Sequence, residues 1–306
     1  MRALVLAIVV AVFAFGGVLA QQLADPDADL SVSHPAYSRD TGPVVAVDSG
    51  HHNFHTMDGR YAPLAQVLRN DGYRVIDHST AFSAESLGSI KVLVVSNALD
   101  ASNVDKWDPP FPSAFSAPEI ATLKRWVEEG GSLLLIADHR PMADAAGTLA
   151  EAFGFHFFSG VVSKDPPGDD IFTIKDGTLG DDAITRGQSQ QEGVTSVQTF
   201  IGSAFTAPPG ARPIITLPAG YAVHDCMLPC PPNVARMNAA GLLQGSVLKL
   251  GLGRVAVFGE AAMFSAQTIT APDRPFFRFG FNAPTAGQNK QFVLNLLHWL
   301  SGTLPD

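Results

Sequence analysis

The stretch Ser116-Ala117-Pro118-Glu119-Ile120-Ala121-Thr122-Leu123-Lys124-Arg125-Trp126-Val127-Glu128-Glu129-Gly130-Gly131-Ser132-Leu133-Leu134-Leu135-Ile136-Ala137-Asp138-His139 decides the fold class. It opens on a capping box, in which the Ser116 hydroxyl accepts from the backbone N–H of Glu119 and the Glu119 carboxylate reaches back to the cap. Ile120, Leu123 and Val127 recur at helical spacing and mark a buried face. Gly130-Gly131 stops the helix. The apolar run from Ser132 to Ala137 follows at once, and a run with no polar alternation suits a strand covered on both sides. A helix that feeds such a strand through a glycine turn is a unit of a layered α/β protein.

The same pattern extends in both directions. Upstream, Val92-Leu93-Val94-Val95 and Val44-Val45-Ala46-Val47 read as buried parallel strands. Between them, Tyr61, Leu64, Ala65 and Leu68 give an amphipathic helix with Pro63 in its first turn and Gly72 just past its end, and Tyr73-Arg74-Val75-Ile76 is the next strand. Downstream, Met142 to Phe153 is the helix behind the fourth strand. Four βα units in a row predict a doubly wound, mostly parallel sheet flanked by helices. Residues 155–245 are broken by Pro166-Pro167, Gly180-Asp181-Asp182 and Pro208-Pro209-Gly210. Strands are expected there near 171–174, 196–200 and 213–217, and another at 246–250. Gly251-Leu252-Gly253 predicts a β-hairpin near the C-terminus, Val255 to Phe258 a buried strand, and Phe292, Val293, Leu296, Leu297 and Leu300 a closing helix. With no internal repeat or long linker, residues 43–306 are expected to form a single domain.

The 306 residues carry 29 Asp plus Glu against 20 Lys plus Arg, a formal net charge of −9, which excludes a generic polyanion binder; no nucleic-acid partner is expected. Hydrophobic residues make up 46% and charged residues only 16%, so the chain can bury a full core. Met1-Arg2, the apolar run over residues 3–15, Gly16-Gly17 and Val18-Leu19-Ala20 match a secretory leader over residues 1–20, cleaved before Gln21. Residues 21–42 then form an extended polar lead. The mature protein is expected outside the cytoplasm, periplasmic or extracellular, with no membrane attachment after cleavage. In that compartment Cys226 and Cys230, three residues apart and followed by prolines, are expected to form a loop disulfide.

Ligands of open α/β sheets bind beyond the carboxyl ends of the strands. Here those ends release Asp48 followed by His51, His52 and His55, then Asn97, then Asp138 and His139, and finally Glu260. If the strands are parallel, all eight lie on one sheet edge. Three readings stay open: a divalent metal held by His51, His52, Asp138 and His139; a metal-free site for a small-molecule or carbohydrate ligand; and structural roles in turns and caps. No cofactor is specified by a motif. Gly251-Leu252-Gly253 lacks a dinucleotide fingerprint, and no Gly-x-Ser-x-Gly elbow or phosphate-loop lysine is present. Trp107 is the tryptophan placed to wall a pocket.

Several stretches taken together, Val47-Asp48 with Tyr61-Ala62-Pro63-Leu64, Asp71 to Val75, Glu119 to Leu134, Gly253 to Glu260 and Asn289 to Leu300, resemble an exported branch of the class I glutamine amidotransferase-like superfamily. Trehalose-utilisation-type proteins and the trimerisation domains of some β-galactosidases are similar relatives. The resemblance implies a flavodoxin-like sheet. It also implies a cysteine on the turn after a central strand and a His with a Glu after a late strand. The matching turn carries Asp138-His139, and the late strand ends in Glu260 with no adjacent histidine. No glutaminase activity is therefore expected, since a carboxylate cannot replace the thiol nucleophile. The functional expectation is a ligand-binding or degenerate-enzyme module for extracytoplasmic carbohydrate or envelope material, with a metal-assisted hydrolase or an interaction and oligomerisation domain as the alternatives.

Overall fold

The computed structural model describes residues 21–271 and 274–306; the expected leader over residues 1–20 lies outside the described residues. Gln21–Ala24 forms β1. Val44–Asp48 (β2), Ala62–Asn70 (α1), Arg74–His78 (β3), the short Ala84–Leu87 (α2), Val92–Ser96 (β4), Ala117–Glu128 (α3), Ser132–Ile136 (β5) and Met142–Ala152 (α4) follow, as the βα pattern requires. Next come His156–Lys164 (β6), Asp170–Thr173 (β7), Ala183–Arg186 (α5), Ser196–Thr199 (β8), Gly202–Thr206 (β9), Arg212–Thr216 (β10), Tyr221–His224 (β11) and Arg236–Asn238 (β12). The chain continues with Leu243–Leu250 (β13), Gly253–Phe258 (β14), Ala266–Ala271 (β15), Arg274–Gly280 (β16) and Asn289–Ser301 (α6).

One large sheet has the order β12-β11-β6-β9-β13-β14-β5-β4-β2-β3, with β10 paired to β13 off this path. Strands β14, β5, β4, β2 and β3 are parallel neighbours. The rest of the sheet is antiparallel. The expectation of a mostly parallel sheet is thus corrected to a mixed sheet, parallel in one half. The change occurs at the β13–β14 hairpin, because a turn as short as Gly251-Leu252 can join only antiparallel strands.

β2, β4 and β5 are buried at every position, as strands covered on both faces must be. Alternate side chains enter two cores. Val45, Val47, Val94, Leu134 and Phe258 pack with Leu64 and Leu68 of α1 and Phe292 and Leu296 of α6. Ala46, Leu93, Leu133 and Val257 pack with Leu123 and Val127 of α3 and Leu149 of α4. Helices therefore cover both faces of the parallel half, and the antiparallel half has few.

The lead over residues 21–42 is more than an extended tail. β1 pairs antiparallel with β15, and β15 with β16, forming a separate three-stranded arm. Farther along, the backbone N–H of Ala36 donates to Asp71 Oδ1 at 2.8 Å. Asp71 also receives His298 Nε2 at 2.7 Å, so that histidine anchors α6 to the end of α1.

Candidate functional site

The parallel register brings the strand ends together. Ile136 pairs with Phe258, so Asp138 and Glu260, each two residues farther on, leave adjacent strands side by side. Asn97 follows the neighbouring β4, and Asp48 ends β2 beyond it. The loop after β2 folds back over this edge: Phe54 N–H donates to Asn97 O at 2.9 Å, Leu99 N–H to His51 O at 2.9 Å, and Asn53 Nδ2 to Ser96 O at 3.3 Å.

His51 is buried against Phe82 and Phe115. Its Nδ1 lies 2.9 Å from Asp48 Oδ2 and its Nε2 3.0 Å from Glu119 Oε1. Burial by itself would lower the imidazole pKa, but the hydrogen bonds and charges of the two carboxylates outweigh it and raise the value. Glu119 stays ionised, held down to about 2 in spite of its burial, because it also accepts from Ser116 Oγ at 2.6 Å and from the N–H groups of Ser116 and Phe82. With both ring nitrogens committed, His51 has no lone pair to offer a metal.

His55 belongs to a second network. Its Nδ1 lies 3.2 Å from Asn97 Nδ2, and Asn97 Oδ1 accepts the N–H of Asp138 at 2.9 Å. Burial, with a smaller contribution from the charge of Arg60, drives the His55 pKa down to about 3, so the ring is neutral and its proton sits on Nε2. Asn97 makes these contacts from the left-handed region, at φ +50°. Beside it, Ser96 Oγ donates to Tyr61 Oη at 3.0 Å, and the Tyr61 hydroxyl donates to Ala261 O at 2.8 Å, tying β4 to the turn after β14.

The Glu260 carboxyl accepts from Ala262 N–H at 2.7 Å and from Met263 N–H at 2.9 Å. Burial and then the charge of Asp138 push its pKa well above the ordinary carboxylate value. Asp138 is raised as well, mainly by burial, against the lowering effect of His139. Two glycines permit this crowding: a Cβ on Gly202 would stand 2.1 Å from Gly259 O, and one on Gly259 would stand 2.3 Å from Ser203 O.

The other two histidines stand apart. His52 is exposed, and His139 uses Nδ1 on Arg140 O at 2.8 Å while its ring meets Trp107 at 6.2 Å. Trp107 is partly buried against Phe54 and does not stand free in solvent. Among the described residues no group of three or more His, Cys, Asp or Glu is arranged to hold a metal ion. The expected set His51, His52, Asp138 and His139 is therefore not brought to a common point. Glu119, Tyr61, Ser96 and His78 joined the edge unforeseen. Glu119 was visible as a cap, but nothing in its spacing reveals that its second oxygen reaches His51.

A larger space opens elsewhere. A cleft of about 780 Å³ is bounded by β6, by the β8–β9 turn with Phe200 and Ile201, by Leu228 and Pro229, and by the inner face of the β15–β16 arm. Cys226 and Cys230 are disulfide-bonded, as expected, and Cys230 lines this cleft. Lys164 Nζ lies 3.6 Å from Asp170 Oδ1 at the rim, and Ser163 Oγ 3.0 Å from His224 Nε2. Among the described residues no helix is long and apolar enough to cross a membrane.

No protein-family model and no curated protein matches the chain. Among solved structures, the N-terminal domain of mmIFT52 superposes with a TM-score of 0.59 at 15% identity, covering 84% of this chain and 97% of that one. The cytoplasmic protein STM3548 from Salmonella typhimurium gives 0.49 at 13% identity, covering 84% and 98%. A protein from Bacteroides uniformis described as ThuA-like gives 0.46 at 10% identity, covering 90% and 94%. At these identities the first likeness shows a shared fold and nothing about activity.

Proposed function

We propose that the chain is an exported ligand-binding module on an amidotransferase-like scaffold without thiol chemistry, acting on extracytoplasmic carbohydrate or other envelope material. The observation that supports this is the division of labour between two regions. At the strand edge, His51, Asn97, Tyr61 and Glu260 have their polar atoms engaged by one another or by backbone, the condition of a network that holds a fold together. The cleft combines apolar walls with a few polar groups at its rim and has the volume of a small-molecule site. The disulfide and the leader-like sequence of residues 1–20 support an oxidising compartment.

The reading is tested by hydrogen–deuterium exchange with maltoheptaose, chitohexaose and n-dodecyl-β-maltoside added singly. Saturable protection is expected in β6 and β16 with at least one of them. Protection confined to residues 48–55 would move the site to the strand edge and overturn the assignment of the cleft. Ammonia release from glutamine is not expected.

A further inference from the structure

The walls of the cleft differ in chemistry from end to end. Ile269 pairs with Phe277 across β15 and β16, and Phe277 and Phe279 share one face because alternate strand residues do. Their rings lie 6.2 Å apart and nearly parallel, and Phe279 meets Phe200 edge-on at 5.9 Å. Leu228 and Pro229 face the same space.

At the other end, Asp170 pairs with Thr199, the residue before Phe200, so the polar rim runs directly into the aromatic wall. Lys164 is held there by Asp170 and by the backbone oxygen of Asp169, and the Tyr221 hydroxyl donates to Asp170 Oδ1 at 2.7 Å. Two carboxylates therefore face one ammonium, which disfavours an anionic ligand. The rim groups are already bonded to one another. A ligand rich in hydroxyls has to break those bonds to be recognised, whereas a hydrocarbon chain gains burial against the phenylalanines at no polar cost.

Resting on the cleft as the binding site, we infer that its ligand is a single-chain amphiphile. An alkyl or acyl chain lies along Phe200, Phe277 and Phe279, and a neutral or cationic head group sits at Lys164 and Asp170.

The test is displacement of Nile red from the intact protein by amphiphiles below their micelle concentrations. Dodecyltrimethylammonium and n-dodecyl-β-maltoside are expected to displace the dye at least tenfold more effectively than dodecyl sulfate or maltose. Affinity should rise about fourfold per methylene from octyl to dodecyl maltoside. Leu228→Asp and Phe277→Ser should each weaken binding at least tenfold; if either fails to fold, the chain-length series in the unaltered protein decides. A flat series with maltose as effective as its dodecyl glycoside would overturn the amphiphile and leave the cleft as a sugar site. No displacement by any probe, with exchange in the cleft unchanged by all of them, would remove both readings.

Discussion

The imidazole of His51 bridges Asp48 and Glu119, with Nδ1 2.9 Å from Asp48 Oδ2 and Nε2 3.0 Å from Glu119 Oε1, so one ring joins the end of β2 to the first turn of α3. Its raised pKa means that the folded state binds this proton more tightly than the unfolded chain does. The resulting stability is complete below the unfolded value of about 6.5 and is lost as pH rises through the higher folded value. His51→Ala should cost about 3 kcal/mol in urea unfolding at pH 6, because it strands the buried Asp48. The difference from the unaltered protein should shrink by pH 9. A cost that does not change with pH would show that His51 is neutral.

Asp138 and Glu260 share a buried edge, and both pKa values are raised. At least one carboxyl should therefore be protonated at neutral pH, giving an infrared carboxylic-acid stretch that Glu260→Gln removes. The sign of the stability effect follows: folded pKa values above the unfolded ones favour the fold at low pH and weaken it as pH rises through them. Asp138→Asn should flatten that decline by removing the neighbouring charge. Loss of the infrared band only on carboxylate formation below pH 4 would contradict the coupling.

Asn97 combines a left-handed backbone with hydrogen bonds to Asp138 and His55. Asn97→Ala should destabilise by about 2–3 kcal/mol, since it loses buried bonds and keeps the unfavourable φ. Asn97→Gly should cost less, because only the bonds are lost. Equal losses on thermal unfolding would assign the whole effect to the side chain.

The Cys226–Cys230 bond should protect both thiols from alkylation until a reductant is added, as mass spectrometry can read directly. Replacing both by serine should cost at most about 2 kcal/mol, the chain-entropy value for so short a loop. The local effect should be greater, with faster exchange at Leu228 and Cys230, because that loop forms part of the cleft wall.

The parallel half of the fold was legible because its strands are continuous apolar runs closed by glycine or by polar clusters, as at Val44 to Gly50 and Gly131 to Asp138. The alignment of Asp48, Asn97, Asp138 and Glu260 along one edge followed from that pattern. The antiparallel half was harder to read. In β6 the run is interrupted by Gly160 at φ +127°, where the pairing with β9 slips between Phe158 and Val162, so no regular alternation survives. β9 is built from Gly202, Ser203 and Ala204, whose burial comes from close approach and leaves no hydrophobic signal. Strands β7, β8 and β10 were found near their expected positions, whereas β11, β12 and the β15–β16 pair were not anticipated. The cleft depends on those unforeseen strands and so could not be read from the sequence.

Gln22 in β1 donates to Gln267 in β15, 245 positions along the chain. Closing so long a span costs more entropy than any neighbouring βα contact, and the contact forms only after nearly all the intervening structure is in place. The arm is therefore the last element to assemble and among the first to detach when the protein opens locally. Since the arm supplies one wall of the cleft, ligand occupancy and the late step of folding are tied together: a bound molecule would hold the first and last parts of the chain in register, and its loss would free them.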